Sequence, residues 1–91
     1  MPQFDWDDGN RDKNLRHGVQ DWAIEEAFSD PRAILAGARR AGMERRRTIL
    51  ARVPGKYLRI SYAVRVSANG RLSRPISAML MTAAERARYQ R

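Results

Sequence analysis

Leu58-Arg59-Ile60-Ser61-Tyr62-Ala63-Val64-Arg65-Val66 is the stretch that decides the fold class. Leu58, Ile60, Tyr62, Val64 and Val66 share one side of an extended chain, and Tyr57, Arg59, Ser61, Ala63 and Arg65 share the other. Successive side chains in a strand point to opposite faces, so this alternation predicts a half-buried strand. Tyr62 shares parity with Leu58 and Ile60 and reads as core. Upstream, Arg47, Ile49, Ala51 and Val53 alternate with Thr48, Leu50 and Arg52, and Pro54-Gly55 supplies a turn. Downstream, Asn69-Gly70 is a two-residue hairpin signal. A third strand follows over about residues 71–80. Pro75 has no N–H to give to a ladder, so it marks an edge or a bulge. Thr82-Ala83-Ala84-Glu85 then forms a capping box that opens a basic C-terminal helix and accounts for Glu85.

The N-terminal part reads differently. Residues 3–6 alternate, with Phe4 and Trp6 on one side, and predict a short strand. Asp7 offers an N-cap for a weak helix reaching about His17, and Gly18 suits the left-handed position that ends it. Asp21 offers the cap of a second helix over residues 22–28, with Ala23, Ile24, Ala27 and Phe28 on one face. Ser29-Asp30-Pro31 ends it, because the residue before proline avoids helical angles. Trp6 and Trp22 read as anchors of a helix–sheet interface. Residues 32–44 stay open: Ala33-Ile34-Leu35-Ala36 favours helix, while Gly37 and Gly42 argue against a long one. Residues 36–47 read as a mobile loop. The expected order is β-α-α-β-β-β-α, an α+β domain spanning residues 1–91 with helices on one face of a small antiparallel sheet.

Composition bounds the chemistry. Ninety-one residues make one domain with a thin core. There is no Cys and only one His, so no thiolate can act as nucleophile and a zinc site is not expected. No Walker A, G-x-G-x-x-G, H-E-x-x-H or G-x-S-x-G motif occurs, so no metal or cofactor is expected. Residues 1–20 lack the apolar stretch of a signal peptide, and no apolar run is longer than that of residues 33–36, far short of the roughly 20 residues of a membrane span. A cytoplasmic protein without membrane contact is expected.

The formal net charge is +8 and the pI about 11.2. Residues 1–30 hold eight acids against three bases, a net of −5; residues 31–91 hold two acids against fifteen bases, a net of +13. All but Lys13 and Lys56 of the bases are Arg, whose planar fork grips phosphate bidentately and stacks on bases. A cationic face of this size suits a phosphate backbone, and RNA is the expected partner. A solvated arginine-rich surface is the plainer alternative.

Several segments, taken in order, resemble one family. Phe4-Asp5-Trp6-Asp7, Asn14-Leu15-Arg16-His17-Gly18-Val19 and Ala27-Phe28-Ser29-Asp30-Pro31 are similar to the F-x-W-D, N-x-x-K/R-H-G-V and F-D-D-P segments of the BrnT toxins of bacterial type II toxin–antitoxin pairs. Tyr62 with Arg65 is similar to the family's Y-T-E-R. Arg74-Pro75-Ile76-Ser77-Ala78, then Thr82, Glu85, Arg86 and Tyr89, is similar to its closing R-I-I-S-A-R…T…E-R…Y. Residues 32–56 lie outside the resemblance. The chain departs from the pattern at Val64, where the family has Glu, and at Met79, where it has Arg. The resemblance implies a RelE-like fold, metal-independent RNA cleavage that blocks translation, and a ribbon-helix-helix antitoxin bound as a hetero-oligomer.

Cleavage by 2′-OH attack needs proton transfer and stabilisation of a pentavalent phosphate, and preorganised positive charge usually contributes most to the rate. Arg65 projects from the polar face of the best strand and matches the motif, so it is the candidate phosphate stabiliser; an exposed edge cation is its other reading. His17 carries the one imidazole of the chain and is a candidate acid or base; a cap at a helix C-terminus is its other and plainer reading. Tyr89 matches the family's terminal Tyr and is a candidate for stacking or proton transfer, against simple packing. Arg59, Arg74, Ser77, Arg86 and Arg88 are the RNA-binding candidates. A non-catalytic nucleic-acid-binding module or a protein-interaction module of the same fold is the alternative function.

Overall fold

The computed structural model describes residues 3–42, 44–68 and 70–91. A 3₁₀-helix, Lys13–His17, precedes helix α1 (Asp21–Ala27). Four strands follow, β1 (Ile34–Ala41), β2 (Glu44–Val53), β3 (Lys56–Ser67) and β4 (Gly70–Leu80), and helix α2 (Ala83–Tyr89) closes the chain. The strands form one antiparallel sheet in the order β1-β2-β3-β4. The α+β class is therefore as expected, and the element order is not.

Three corrections account for the difference. Residues 3–6 contribute only an isolated parallel bridge, Phe4 with Ser73. Asp7 starts no helix: its carboxylate accepts from Gly9 N–H, its carbonyl accepts from Asn10 and Arg11, and the first helical turn is the short 3₁₀ segment. Residues 36–47, read as a loop, pair as the β1–β2 hairpin through Gly42, whose φ of 65° suits a residue without Cβ. The helical preference of Ala33-Ile34-Leu35-Ala36 is overridden because Ile34 and Leu35 pair with Leu50 and Ile49. Two smaller readings also change. Gln20, not Asp21, is the N-cap of α1, and Asp21 instead accepts from Asp12 N–H. Trp22 is 59% exposed and anchors nothing, whereas Trp6 packs against the core and donates to Glu25.

The other strand readings hold. β3 buries Leu58, Ile60 and Tyr62 on one face with Ile49, Ala51, Val53 and Ala78, and α1 covers them with Ala23, Ile24 and Ala27. Each Leu, Ile or Val side chain among them removed from water contributes about 1.5–3 kcal/mol. Phe28 bridges the layers, edge-on to Tyr62 at 4.9 Å and to Phe4 at 5.1 Å. Val66, at the far end of β3, is 80% exposed. Pro75 sits in the outer strand β4, and the register slips beside it. The hairpin reading at Asn69-Gly70 falls in part on Asn69, which lies outside the described residues. The capping box is formed: Thr82 accepts from Glu85 N–H and Glu85 accepts from Thr82 N–H.

The helices do not share a face. α1 covers the Leu58/Ile60 face, while α2 meets Tyr57 and Arg59, which alternate onto the opposite one. The outer edge of β4 is stapled by the N-terminal segment. Asn14 Oδ1 accepts from Ala78 N–H at 2.9 Å, Asn10 Nδ2 donates to the Pro75 carbonyl at 3.0 Å, Asp5 N–H donates to the Ser73 carbonyl and Ser73 N–H donates to the Gln3 carbonyl. Asn10 and Asn14 are buried for this reason. Gly18, with φ 75°, ends the 3₁₀-helix by donating back to Asn14 and Leu15. Among the described residues no helix is long and apolar enough to cross a membrane.

Candidate nucleic-acid interface

Beyond α2, the second face of the sheet is open, and its residues fall into rungs set by the register. Arg59 pairs with Leu50 and Met79. One rung on, Gly37, Thr48, Ser61 and Ser77 lie side by side across all four strands. The next rung holds Arg39, Arg46, Ala63 and Arg74. The middle rung is a floor of three hydroxyls, with Thr48 Oγ1 and Ser61 Oγ 3.2 Å apart. Small side chains keep this floor low, and arginines rise on both sides of it. The resulting groove encloses about 500 Å³ and is lined by Arg39, Arg46, Thr48, Arg59, Ser61 and Ser77 among others. Hydroxyls offer hydrogen bonds to phosphate oxygens, and guanidinium groups offer charge.

The sequence candidates divide between this groove and three other places. Arg59 and Ser77 line the groove. Arg59 is steadied there by Glu85 at 3.5 Å and by Met79 Sδ at 2.9 Å. Arg65 lies on the same face, two rungs beyond Ser61. It is 51% exposed and 3.5 Å from Asp5. Arg74 is drawn away from the groove: both its Nη atoms donate to Asp7, at 2.8 and 2.9 Å, and Asp5 lies 3.6 Å away. Hydrogen bonds from Arg74 and from Gly9 N–H hold the Asp7 carboxyl below its usual range, and Asp7 in turn raises Arg74.

Tyr89 occupies a different cleft, of about 880 Å³, at the α2 end of the molecule. Its hydroxyl donates to Asp30 at 2.7 Å and its ring meets Tyr57 edge-on at 5.9 Å. Burial and then Asp30 push the Tyr89 hydroxyl up to about 12. Asp30 also accepts from the backbone N–H of Arg32 and Arg52. Burial raises its carboxyl, but the bonds from Tyr89, Arg52 and Arg32 outweigh this and leave it below the usual range. Arg86 stacks over the Tyr57 ring at 4.2 Å, and Arg88 donates to the Ala36 carbonyl at 3.3 Å. His17 ends the 3₁₀-helix, half-buried, and accepts from Arg16. Among the described residues, no group of three or more His, Asp or Glu side chains is arranged to hold a metal ion.

The profile of the ribonuclease toxin, BrnT, of type II toxin–antitoxin systems matches residues 6–85. The chain belongs to the BrnT family. A search of curated proteins finds no match. Membership makes it a ribonuclease toxin of the type II class, with an antitoxin as partner and RNA as substrate.

Seen on the fold, most of the BrnT motif residues hold the chain together. Asn14 pins the edge of β4, Gly18 turns the chain, and Asp30 ties residue 32, β2 and α2 to one carboxylate. The two departures from the family pattern fall on different faces. Val64 is packed against the core, so the family's Glu at this position would not face the groove. Met79 faces the groove, against Arg59. Sequence reasoning missed Arg39, Arg46, Thr48 and Ser61 as site residues. The signal for the first two was present: Arg39-Arg40 and Arg45-Arg46 flank a glycine at the spacing that sets residue 39 against 46 and residue 40 against 45 in a hairpin.

Proposed function

We propose that the chain is an endoribonuclease whose groove holds one RNA phosphate on the Thr48–Ser61–Ser77 floor, between Arg59 on one side and Arg39 and Arg46 on the other. The single observation that carries this reading is the row of small hydroxyls flanked by arginines on an open sheet face. The 2′-oxygen attacks the adjacent phosphorus, the bond to the 5′-oxygen breaks, and a 2′,3′-cyclic phosphate and a 5′-hydroxyl result. The 2′-hydroxyl proton passes to solvent, and the leaving oxygen takes one up. Negative charge grows on the phosphate oxygens in the pentavalent state, and arginines fixed on strands stabilise it without reorganising. Guanidinium groups supply this charge in place of a metal ion. Arg65, two rungs away, contacts the neighbouring nucleotide rather than the reacting phosphate. Tyr89 and His17 serve the fold in this reading, since the Tyr89 hydroxyl is taken by Asp30 and His17 lies in the last turn of the 3₁₀-helix, accepting from Arg16.

The wider setting follows the family. The domain is RelE-like in type, acts in the cytoplasm, and blocks translation by cutting RNA. A ribbon-helix-helix antitoxin with an acidic docking segment covers the open face in a hetero-oligomer. Charge supports this arrangement: residues 31–91 carry +13, which repels a second copy and speeds encounter with an acidic chain. The test is direct. Purified protein should cut RNA in EDTA, and its affinity for single-stranded RNA should fall with salt at a log–log slope of roughly −3 to −4 for about 4–6 contacted phosphates. Intact RNA at high protein excess, with and without ribosomes, together with salt-dependent binding would leave a non-catalytic RNA-binding module. A slope near zero would point to a protein partner alone.

A further inference from the structure

The β1–β2 end of the sheet carries arginines on both faces. The register sets Arg39 against Arg46, Arg40 against Arg45 and Ala38 against Arg47. Arg39 and Arg46 belong to the open face. Arg40, Arg45 and Arg47 alternate onto the other face, where Arg47 precedes the core residue Ile49 by two positions and pairs with Tyr62. Arg40 and Arg45 are exposed there and Arg47 is half-buried.

Like charges directly opposite each other destabilise an antiparallel pair. Here two such pairs follow in consecutive rungs. Among the described residues, the only carboxylate paired with any of these five arginines is Glu44, which lies 3.0 Å from Arg46. β1 is an outer strand, so nothing in the sheet shields its free side. A hollow of about 290 Å³ at this edge is lined by arginines of both sets, so the two cationic surfaces are continuous around β1.

We infer that single-stranded RNA seated on the open face continues round the β1 edge, where Arg40, Arg45 and Arg47 hold the phosphates of its flanking segment. The inference rests on the RNA reading above and extends it to the length and form of the substrate. An anion lying across both surfaces relieves the cross-strand repulsion on each. A duplex is too stiff to turn about the edge of one sheet, whereas a single strand bends there. The contacts are to phosphate, so they lengthen the footprint without reading bases.

The experiment compares two unstructured, 2′-O-methylated RNAs of about 4 and about 14 nucleotides by fluorescence anisotropy across a salt series, with the wild type and the Arg40→Ala/Arg45→Ala/Arg47→Ala variant. The wild type should bind the longer RNA with a salt slope steeper by about 2, from three further phosphates at about 0.7 each. The variant should lose that difference. Arg45→Glu turns a repulsive pair into an attractive one, so it folds at least as well as the wild type, and it should also lose affinity mainly for the longer RNA. A wild-type slope for the longer RNA in both variants overturns the inference. So does an equal loss for both lengths, or a loss of antitoxin binding alone, which would assign the surface to an acidic protein. A wild type that binds neither RNA would overturn the RNA reading itself.

Discussion

The two ends of the open face have the same kind of cation in opposite circumstances. At the β4 end, Arg74 is only 16% exposed and is held by both oxygens of Asp7, while Arg65 leans toward Asp5. At the β1–β2 end, Arg39 and Arg46 face each other, and among the described residues the carboxylate paired there is Glu44, with Arg46. The acidic N-terminal segment directs Asp5 and Asp7 to one end of the face and leaves the other positive. The −5 and +13 halves of the chain are therefore not two separate surfaces. Where acids and bases meet, they fasten the N-terminal segment across β4. Where bases stand alone, they are available to an outside anion.

Removing one arginine from each end puts the contrast under the greatest strain. Arg46→Ala should lower the rate of RNA cleavage by about 10²-fold, the usual cost of losing one preorganised charge donor. Arg74→Ala should lower it by less than about tenfold, in line with an indirect effect on the groove, and should chiefly lower the melting temperature. Single-turnover cleavage and thermal unfolding on the same preparations measure both. A larger catalytic loss at Arg74 than at Arg46 would reverse the roles of the two ends.

Asn14 tests whether the N-terminal segment is a fastening rather than a catalytic part. Its Oδ1 accepts from Ala78 N–H, and both groups are buried. Asn14→Ala should leave that N–H without a partner and cost about 1–3 kcal/mol of stability. Cleavage per folded molecule should be unchanged. Denaturant unfolding gives the first quantity and active-site titration corrects the second; a loss of specific activity beyond the folded fraction would place Asn14 in the chemistry.

Much of the fold was legible because β3 has a strict period of two and its neighbours are punctuated by Pro54-Gly55 and Gly70. β1 was not, because Ala33, Leu35 and Ala36 carry a local preference for helix, and only pairing with β2 overrides it. The same error hid Arg39 and Arg46, since a residue assigned to a loop has no face. Arg59 was legible because alternation alone puts it on the polar side of β3, and Ser77 through its place in the I-S-A segment of the resemblance. The engagement of Arg74 with Asp7 was not, because 67 residues separate them and only the stapling of the N-terminal segment to β4 brings them together. Trp22 misled in the opposite direction: a large aromatic suggests burial, yet its position in α1 faces outward.

Tyr89 provides a smaller effect with a defined pH window. Its folded-state hydroxyl is raised from its ordinary value of 10 to about 12 by burial and by Asp30. A raised value means that the protonated form is favoured in the fold, so the contribution is full below about pH 10 and is lost between pH 10 and about 12. Asp30 shows the reverse sign. Its lowered carboxyl stabilises the fold above about pH 4 and loses that effect as the pH falls further. Tyr89→Phe should cost about 1 kcal/mol at neutral pH. It should also remove the loss of stability between pH 10 and about 12, which unfolding curves across that range would reveal. An unchanged alkaline profile would separate Tyr89 from this effect, and a collapse of cleavage at pH 7 would restore it as a catalytic group.

The smallest expected effect lies at the fastened end itself. Asp7→Asn removes the charge that engages Arg74 but keeps a side chain of the same size. Arg74 would then lose its bidentate partner, with Asp5 at 3.6 Å as its nearest remaining carboxylate. The freed guanidinium sits in the same rung as Arg46, so it would present one further cation to a bound strand. RNA affinity should rise by about two- to threefold at low salt, and the log–log slope should steepen by about 0.7, the contribution of one more phosphate. The melting temperature should fall slightly at neutral pH. That difference should vanish in acid, because the lowered Asp7 carboxyl contributes only above its ordinary value of 3.8 and loses its effect as the pH drops through the folded-state value. An unchanged salt slope together with an unchanged melting temperature would mean that Arg74 is held by Asp5 and the strand alone. The β4 end would then be closed to RNA whatever the charge at residue 7, and the contrast between the two ends would be fixed by the backbone rather than by the acidic segment.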